Sequence, residues 1–232
     1  LKQGAAVADL WNTQSAVNPS LLGPAKQLLQ TPDGLIWVCY YGGGIQARNA
    51  DGKVLQSITP KSGQGLKFPD PEQLFIGPDK QLWLAGGEGV LRWSPPQNRF
   101  VQVLDTLGER VFSAHFVAPQ TLWLGRLGAL DAYQWQSGKL RKIRSITGDE
   151  GLPAVEVSGV ASDASGALWI TSSRGLMRYD PVSERVRVFS INDGLVSQEF
   201  DLQAPYIGKD GSAFALSKGG VVAFNPAEMT SK

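Results

Sequence analysis

Charged and aromatic side chains recur at one kind of position in this chain, between an apolar-aromatic-apolar triplet and the glycine that follows it. Tyr40, Tyr41, Glu88, Arg126, Arg174 and Lys218 all fall there. Rings beside convergent charges suit a polar ligand, with arginine taking carboxylate or hydroxyl groups. Tips of tight turns are also polar simply because they are wet, so the pattern by itself supports both readings. Other chemistry is thinly supplied. His115 is the single histidine, set in the apolar run VFSAHFV with no obvious Ser or Cys partner in sequence. It reads as a satisfied core histidine rather than a general base. No CxxC or HExxH spacing occurs, so neither a metal centre nor a cofactor is expected. The acids Asp149, Glu150, Asp193, Glu199 and Asp201 show no spacing that selects a hydrolytic pair. Gly42-Gly43-Gly44 is turn chemistry, because no helix and no Lys-Ser/Thr follow it. The lone Cys39 lies inside the apolar stretch WVCY, where a buried inert thiol is expected.

The elements that would position these residues are short strands. LIWV, QLWL, TLWL and ALWI place Trp37, Trp83, Trp123 and Trp169 in one register, and SAFAL puts Phe214 in the same place. Successive aromatics are 46, 40, 46 and 45 residues apart. A turn precedes each triplet, for example Pro32-Asp33-Gly34 and Asp163 to Gly166, and a glycine follows at Gly43, Gly89, Gly128, Gly175 and Gly220. Glycine there permits the positive φ of a tight hairpin. Within the best-formed repeat, Arg185 and Arg187 alternate with Val186 and Val188, the period of a half-exposed strand. Four strands per unit with a period in the forties is the signature of a β-propeller blade.

Five repeats are expected at about 26–70, 71–110, 111–155, 156–200 and 201–229, making residues 1–232 a single all-β propeller domain. The last repeat, with expected strands at 202–207, 212–216 and 221–224, lacks a fourth. Ala5 to Trp11 has the length and character to supply it and close the ring, since an open ring leaves unpaired sheet edges. The four register tryptophans read as blade-to-blade packing, whereas Trp93 and Trp135 fall near third-to-fourth strand turns and are expected to be partly exposed. In a propeller the second-to-third hairpins crown one face around the central funnel, which makes Tyr40, Tyr41, Glu88, Arg126, Arg174 and Lys218 the expected ligand-binding set, with no catalytic residue.

Composition narrows the function. The formal net charge is +1 with 19% charged residues, which gives no basic footprint for nucleic acid. No apolar run approaches the roughly 20 residues that cross a bilayer. The chain starts without Met or a signal peptide and reads as a mature domain cut from something larger.

ASDASGALWITSSRGLMRYDP resembles the two-component regulator propeller repeat, D-x-x-G-x-L-W-I-G-T-x-x-G-L-x-R-Y-D. QLLQTPDGLIWV is similar to it as well, and the ending from Ile191 to Met229 resembles the last blade of such domains, with Asp201 where Asn is usual. The resemblance covers about residues 26–229 and is strongest in the fourth and fifth repeats. It implies the extracytoplasmic, periplasmic sensor domain of a membrane-anchored bacterial receptor with a histidine kinase or diguanylate cyclase output. It also implies a small polar ligand, carbohydrate in some members, and no catalysis in the domain itself. Five repeats depart from the seven or more usual in that family. Two other functions remain open: an interaction or self-association scaffold, and a propeller-type lyase or hydrolase, for which one histidine is a poor match.

Overall fold

The computed structural model describes residues 23–87, 89–117 and 119–229. It is all-β: four four-stranded antiparallel meanders and one of three strands, each meander pairing in chain order. Blade one holds β1 (Ala25–Gln30), β2 (Ile36–Tyr40), β3 (Gly44–Arg48) and β4 (Val54–Ile58). Blade two holds β5 (Gln73–Ile76), β6 (Leu82–Gly86), β7 (Gly89–Ser94) and β8 (Arg99–Asp105). Blade three holds β9 (Ser113–Val117), β10 (Thr121–Arg126), β11 (Ala129–Gln136) and β12 (Lys139–Ile146). Blade four holds β13 (Gly159–Ser162), β14 (Leu168–Ser172), β15 (Gly175–Asp180) and β16 (Arg185–Phe189). Blade five holds β17 (Tyr206–Ile207), β18 (Ala213–Ser217) and β19 (Gly220–Phe224). This is the five-bladed propeller expected from the repeat. The closing strand expected at Ala5 to Trp11 lies outside the described residues.

Side chains alternate across each strand, so every blade has two faces. The register tryptophan always points toward the following blade and meets an aromatic on that blade's third strand. Trp37 packs on Trp93 at 5.2 Å between ring centroids, and Trp83 on Trp135 at 4.7 Å. Trp123 meets Tyr179 at 6.2 Å, and Trp169 meets Phe224 at 4.8 Å. Trp93 and Trp135 are therefore halves of blade-to-blade contacts, and Trp93 is buried rather than partly exposed. Four apolar clusters form in this way, joining blades one to two, two to three, three to four and four to five.

The turn before each triplet explains why tryptophan suits this place. The Trp169 indole N–H donates to the Asp163 carboxylate at 2.8 Å, and Trp83 does the same to Asp79 at 2.8 Å. Trp37 donates to the Thr31 hydroxyl at 3.2 Å. Asp163 also accepts from the Ser165 and Ala167 backbone N–H groups, so one carboxylate shapes the turn and pins the ring. The hairpin glycines behave as expected at Gly89, Gly128, Gly175 and Gly220, all with positive φ. In blade one the role passes from Gly43 to its neighbours Gly42 and Gly44; a Cβ at Gly44 would run into the Ile58 carbonyl.

One expectation shifts. The strand foreseen at 202–207 shrinks to Tyr206–Ile207. Pro205 has no N–H to give a ladder, and the Gln203 carbonyl is taken by the Thr171 hydroxyl at 2.7 Å. His115, expected as a satisfied histidine, finds its partner across the blade interface: its Nε2 lies 2.8 Å from Ser162 Oγ. Burial lowers the His115 pKa, favouring the neutral ring. Cys39 is fully buried, and burial pushes its thiol up to about 11.

Candidate functional site at the funnel mouth

The segments entering the first strand of each blade converge on a narrow well of about 90 Å³ at the propeller axis. It is lined by Lys26 and Tyr41 of blade one, Glu72 of blade two, Arg110 and Phe112 of blade three, Glu156 and Ser158 of blade four, and Leu202 and Gln203 of blade five. A second hollow of about 370 Å³ shares Arg110 and Phe112 with it and runs out to Glu109, Arg126 and Leu127. Together they make one groove from the axis to the hairpin of blade three.

Charge in the well is largely paired. Lys26 Nζ sits 2.7 Å from Glu72 Oε2 and 3.4 Å from Asp70. Arg110 Nε donates to Glu72 Oε1 at 2.7 Å, and its Nη2 also contacts that oxygen. Glu72 is thus clasped by a cation from each neighbouring blade. Burial acts to lower the Lys26 pKa, but the hydrogen bond and charge of Glu72, helped by Asp70, outweigh it and raise the value overall. Lys26 and Arg110 also lie over the Tyr41 and Phe112 rings at 5.3 and 5.4 Å. Glu156 is exposed and makes no ion pair among the described residues.

The residues expected at the site separate into groups. Tyr41 lines the well, and Arg126 the outer hollow. Arg126 is engaged by Glu109 and by the buried Asp131, whose Oδ2 lies 2.9 Å from Arg126 Nε without hydrogen-bond alignment. Asp131 is also held by Lys142 at 2.8 Å. Lys218 pairs with Glu199 on the blade-five hairpin, and Arg174 is exposed on the blade-four hairpin; neither lines the groove. Tyr40 turns away: it is buried in blade one, where its hydroxyl donates to Gln46 Oε1 at 2.8 Å and accepts from Arg48. Strand alternation explains this, since consecutive residues at the end of β2 face opposite ways. Glu88 lies outside the described residues. Lys26, Glu72, Phe112 and Glu156 were missed because Lys26 sits within β1 and the others before first strands rather than in hairpins, where no glycine or tryptophan marks them, whereas Arg110 belongs to a between-blade loop expected to crown this face. Among the described residues, no three His, Cys, Asp or Glu side chains come together as a metal site.

No known protein-family profile matches the chain. A curated relative, histidine kinase P4 of Formosa agariphila, is 22% identical over 208 residues, 85% of this chain and 15% of that protein. The extracellular domain of the hybrid two-component system BT4673 from B. thetaiotaomicron superimposes with a TM-score of 0.74 at 15% identity, over 90% of this chain and 30% of that one. The gluconolactonase XC5397 of Xanthomonas campestris superimposes with a TM-score of 0.64 at 16% identity, over 87% of this chain and 71% of that one. The chain therefore spans less than a third of the kinase relative and of the BT4673 domain. At these identities the structural matches show the propeller fold, and the sensor proteins among them agree with the resemblance read from the repeat.

Proposed function

We propose that this propeller is a non-catalytic, extracytoplasmic ligand-sensing part of a bacterial receptor, and that its ligand is a small polyhydroxy molecule lying along the groove from Glu156 to Arg126. The observation that supports the reading is the state of the charges. The groove's cations Lys26, Arg110 and Arg126 are already engaged by carboxylates, so they offer hydrogen bonds more readily than a free positive charge for an anion. Glu156 adds an acceptor, and Tyr41 and Phe112 add ring faces against which a sugar can lie. The well is too narrow to swallow a sugar ring, so the ligand spans the mouth. Glu72, clasped on both sides, is poorly placed to act as a catalytic acid. A thermal-shift and calorimetric screen with neutral mono- and oligosaccharides tests the proposal. Glu156→Gln and Tyr41→Ala should each weaken a hit about tenfold, the effect of one polar contact of roughly 1.4 kcal/mol. Equal affinity in both variants would remove the groove from consideration, and turnover of the sugar would restore the hydrolase reading.

A second reading, a scaffold for another polypeptide, is favoured by one feature. Leu28, Tyr206, Phe214, Leu216 and Val221 are large apolar side chains exposed on blades one and five. A concentration-dependent size in solution would support it.

A further inference from the structure

On the face opposite the funnel mouth, a cleft of about 630 Å³ opens between blades four and five. Its walls come from the first turn of blade four (Ser162 to Ser165), the corresponding turn of blade five and the chain after β19. Ala164, Ile207, Pro226 and Ala227 make it apolar, Arg178 and Lys209 bring positive charge, and the one acid in the lining, Asp163, has its carboxylate engaged by its own turn and the Trp169 indole. This size and mixture suit a small molecule.

Arg178 departs from the pattern of the repeat. In blade two the equivalent residue, Arg92, stands opposite Trp83 and pairs at 2.9 Å with Asp79, the same turn carboxylate that holds the indole. Arg178 likewise stands opposite Trp169, but the Asp163 carboxylate is taken up by Ser165, Ala167 and Trp169 and makes no ion pair with it. Arg178 instead turns one nitrogen to Asp180 at 2.9 Å, and its buried Nε has no hydrogen-bond partner. With only 12% of its side chain exposed, the guanidinium is largely desolvated, and beyond the Asp180 pair it keeps one unpartnered Nε at the wall of a mostly apolar cleft. Such a group calls for an oxyanion.

We infer that the cleft between blades four and five binds a small organic acid, its carboxylate on Arg178 with Lys209 at the rim and its carbon body against Ile207, Pro226 and Ala227. The site is separate from the funnel mouth and does not depend on the sensing proposal. The test is an amide NMR titration of the labelled protein with sodium benzoate, benzyl alcohol and inorganic phosphate. Benzoate should shift the Ser165, Gly208 and Gly211 amides saturably, and more tightly than either other probe. Arg178→Gln should weaken benzoate about tenfold or more, and the exposed Lys209→Gln by less. Tyr41→Ala and Glu156→Gln at the funnel should change nothing here. Absence of saturable shifts in the wild type, or shifts that survive Arg178→Gln unchanged, would overturn the site. Phosphate binding as tightly as benzoate would overturn the role of the apolar walls. If Arg178→Gln fails to fold, the loss of benzoate affinity in Lys209→Gln decides alone.

Discussion

Four of the blade junctions in this propeller are built alike, and the junction between blades five and one is not. Each of the four sets a tryptophan of one blade against an aromatic ring on the third strand of the next, inside a continuous apolar cluster. At the fifth, both halves of the pair are changed. Phe214 takes the tryptophan's place and is 42% exposed, with Leu216 beside it at 48%. Arg48 takes the place of Trp93, and with Tyr40 and Gln46 it makes blade one's facing surface a buried polar network where blade two presents Leu84, Leu91 and Trp93. No apolar cluster joins these two blades among the described residues. A cleft of about 510 Å³ separates Leu28 of β1 from Tyr206, Phe214 and Leu216. The repeat thus marks a junction by two residues on two blades, and where both are changed the described residues form a cleft in place of an apolar cluster.

The sharpest way to break that contrast is at the sealed end. Trp169→Ala removes a fully buried ring packed on Phe224 and Phe189, and should cost about 3–5 kcal/mol, read by urea denaturation. A loss under about 1 kcal/mol would mean that the tryptophan register does not hold the blades together.

Next in size is the turn that pins the ring. Asp163→Ala strips the Trp169 indole and two backbone N–H groups of their acceptor and should cost about 1–3 kcal/mol. Asp210→Ala in blade five, whose carboxylate among the described residues accepts from Ser212 and from no indole, should cost less. Equal costs would show that the turn, not the pinned tryptophan, is what the aspartate stabilises.

How much of this was legible in the sequence follows from the same chemistry. Blade number was readable because the aromatic recurs every 40 to 46 residues with a turn just before it and a glycine five or six residues after it. The first strand of blade five was overestimated because its apolar content resembles a strand while Pro205 and the bond from Thr171 take it out of the ladder. The site was half legible. Tyr41 and Arg126 follow from hairpin position, but Glu72 and Glu156 reach the well through loops that carry no periodic signal. Tyr40 was misplaced because one step along a strand reverses the face. That the arginines would meet carboxylates of other segments, as Arg126 meets Glu109 and Asp131, depends on three-dimensional proximity that spacing does not encode.

The junction between blades three and four carries a pH signature that the fifth lacks. His115 bridges it through Ser162, and burial lowers its pKa below the ordinary value of about 6.5. The unfolded chain therefore takes up a proton in a range where the native protein resists it. The stabilising contribution is complete above the ordinary value and falls away as pH drops below it toward the native pKa. His115→Gln should flatten that acid-side decline in melting temperature. An unchanged slope would assign the decline to carboxylates.

The smallest expected effect bears most directly on the contrast. Phe214→Ala removes a large ring from the register position, as Trp169→Ala does, yet its ring is two-fifths exposed and touches mainly Tyr206, at 6.4 Å between centroids. Only the buried part of its apolar area is lost, and no sealed cavity forms because the cleft already admits solvent, so the cost should stay under about 1 kcal/mol. A loss approaching that of Trp169→Ala would show the fifth junction to be packed in solution by something bearing on Phe214. Phe214→Trp then separates the remaining cases. An open cleft can accept the larger ring at little cost, whereas an occupied one would be strained by it and lose stability.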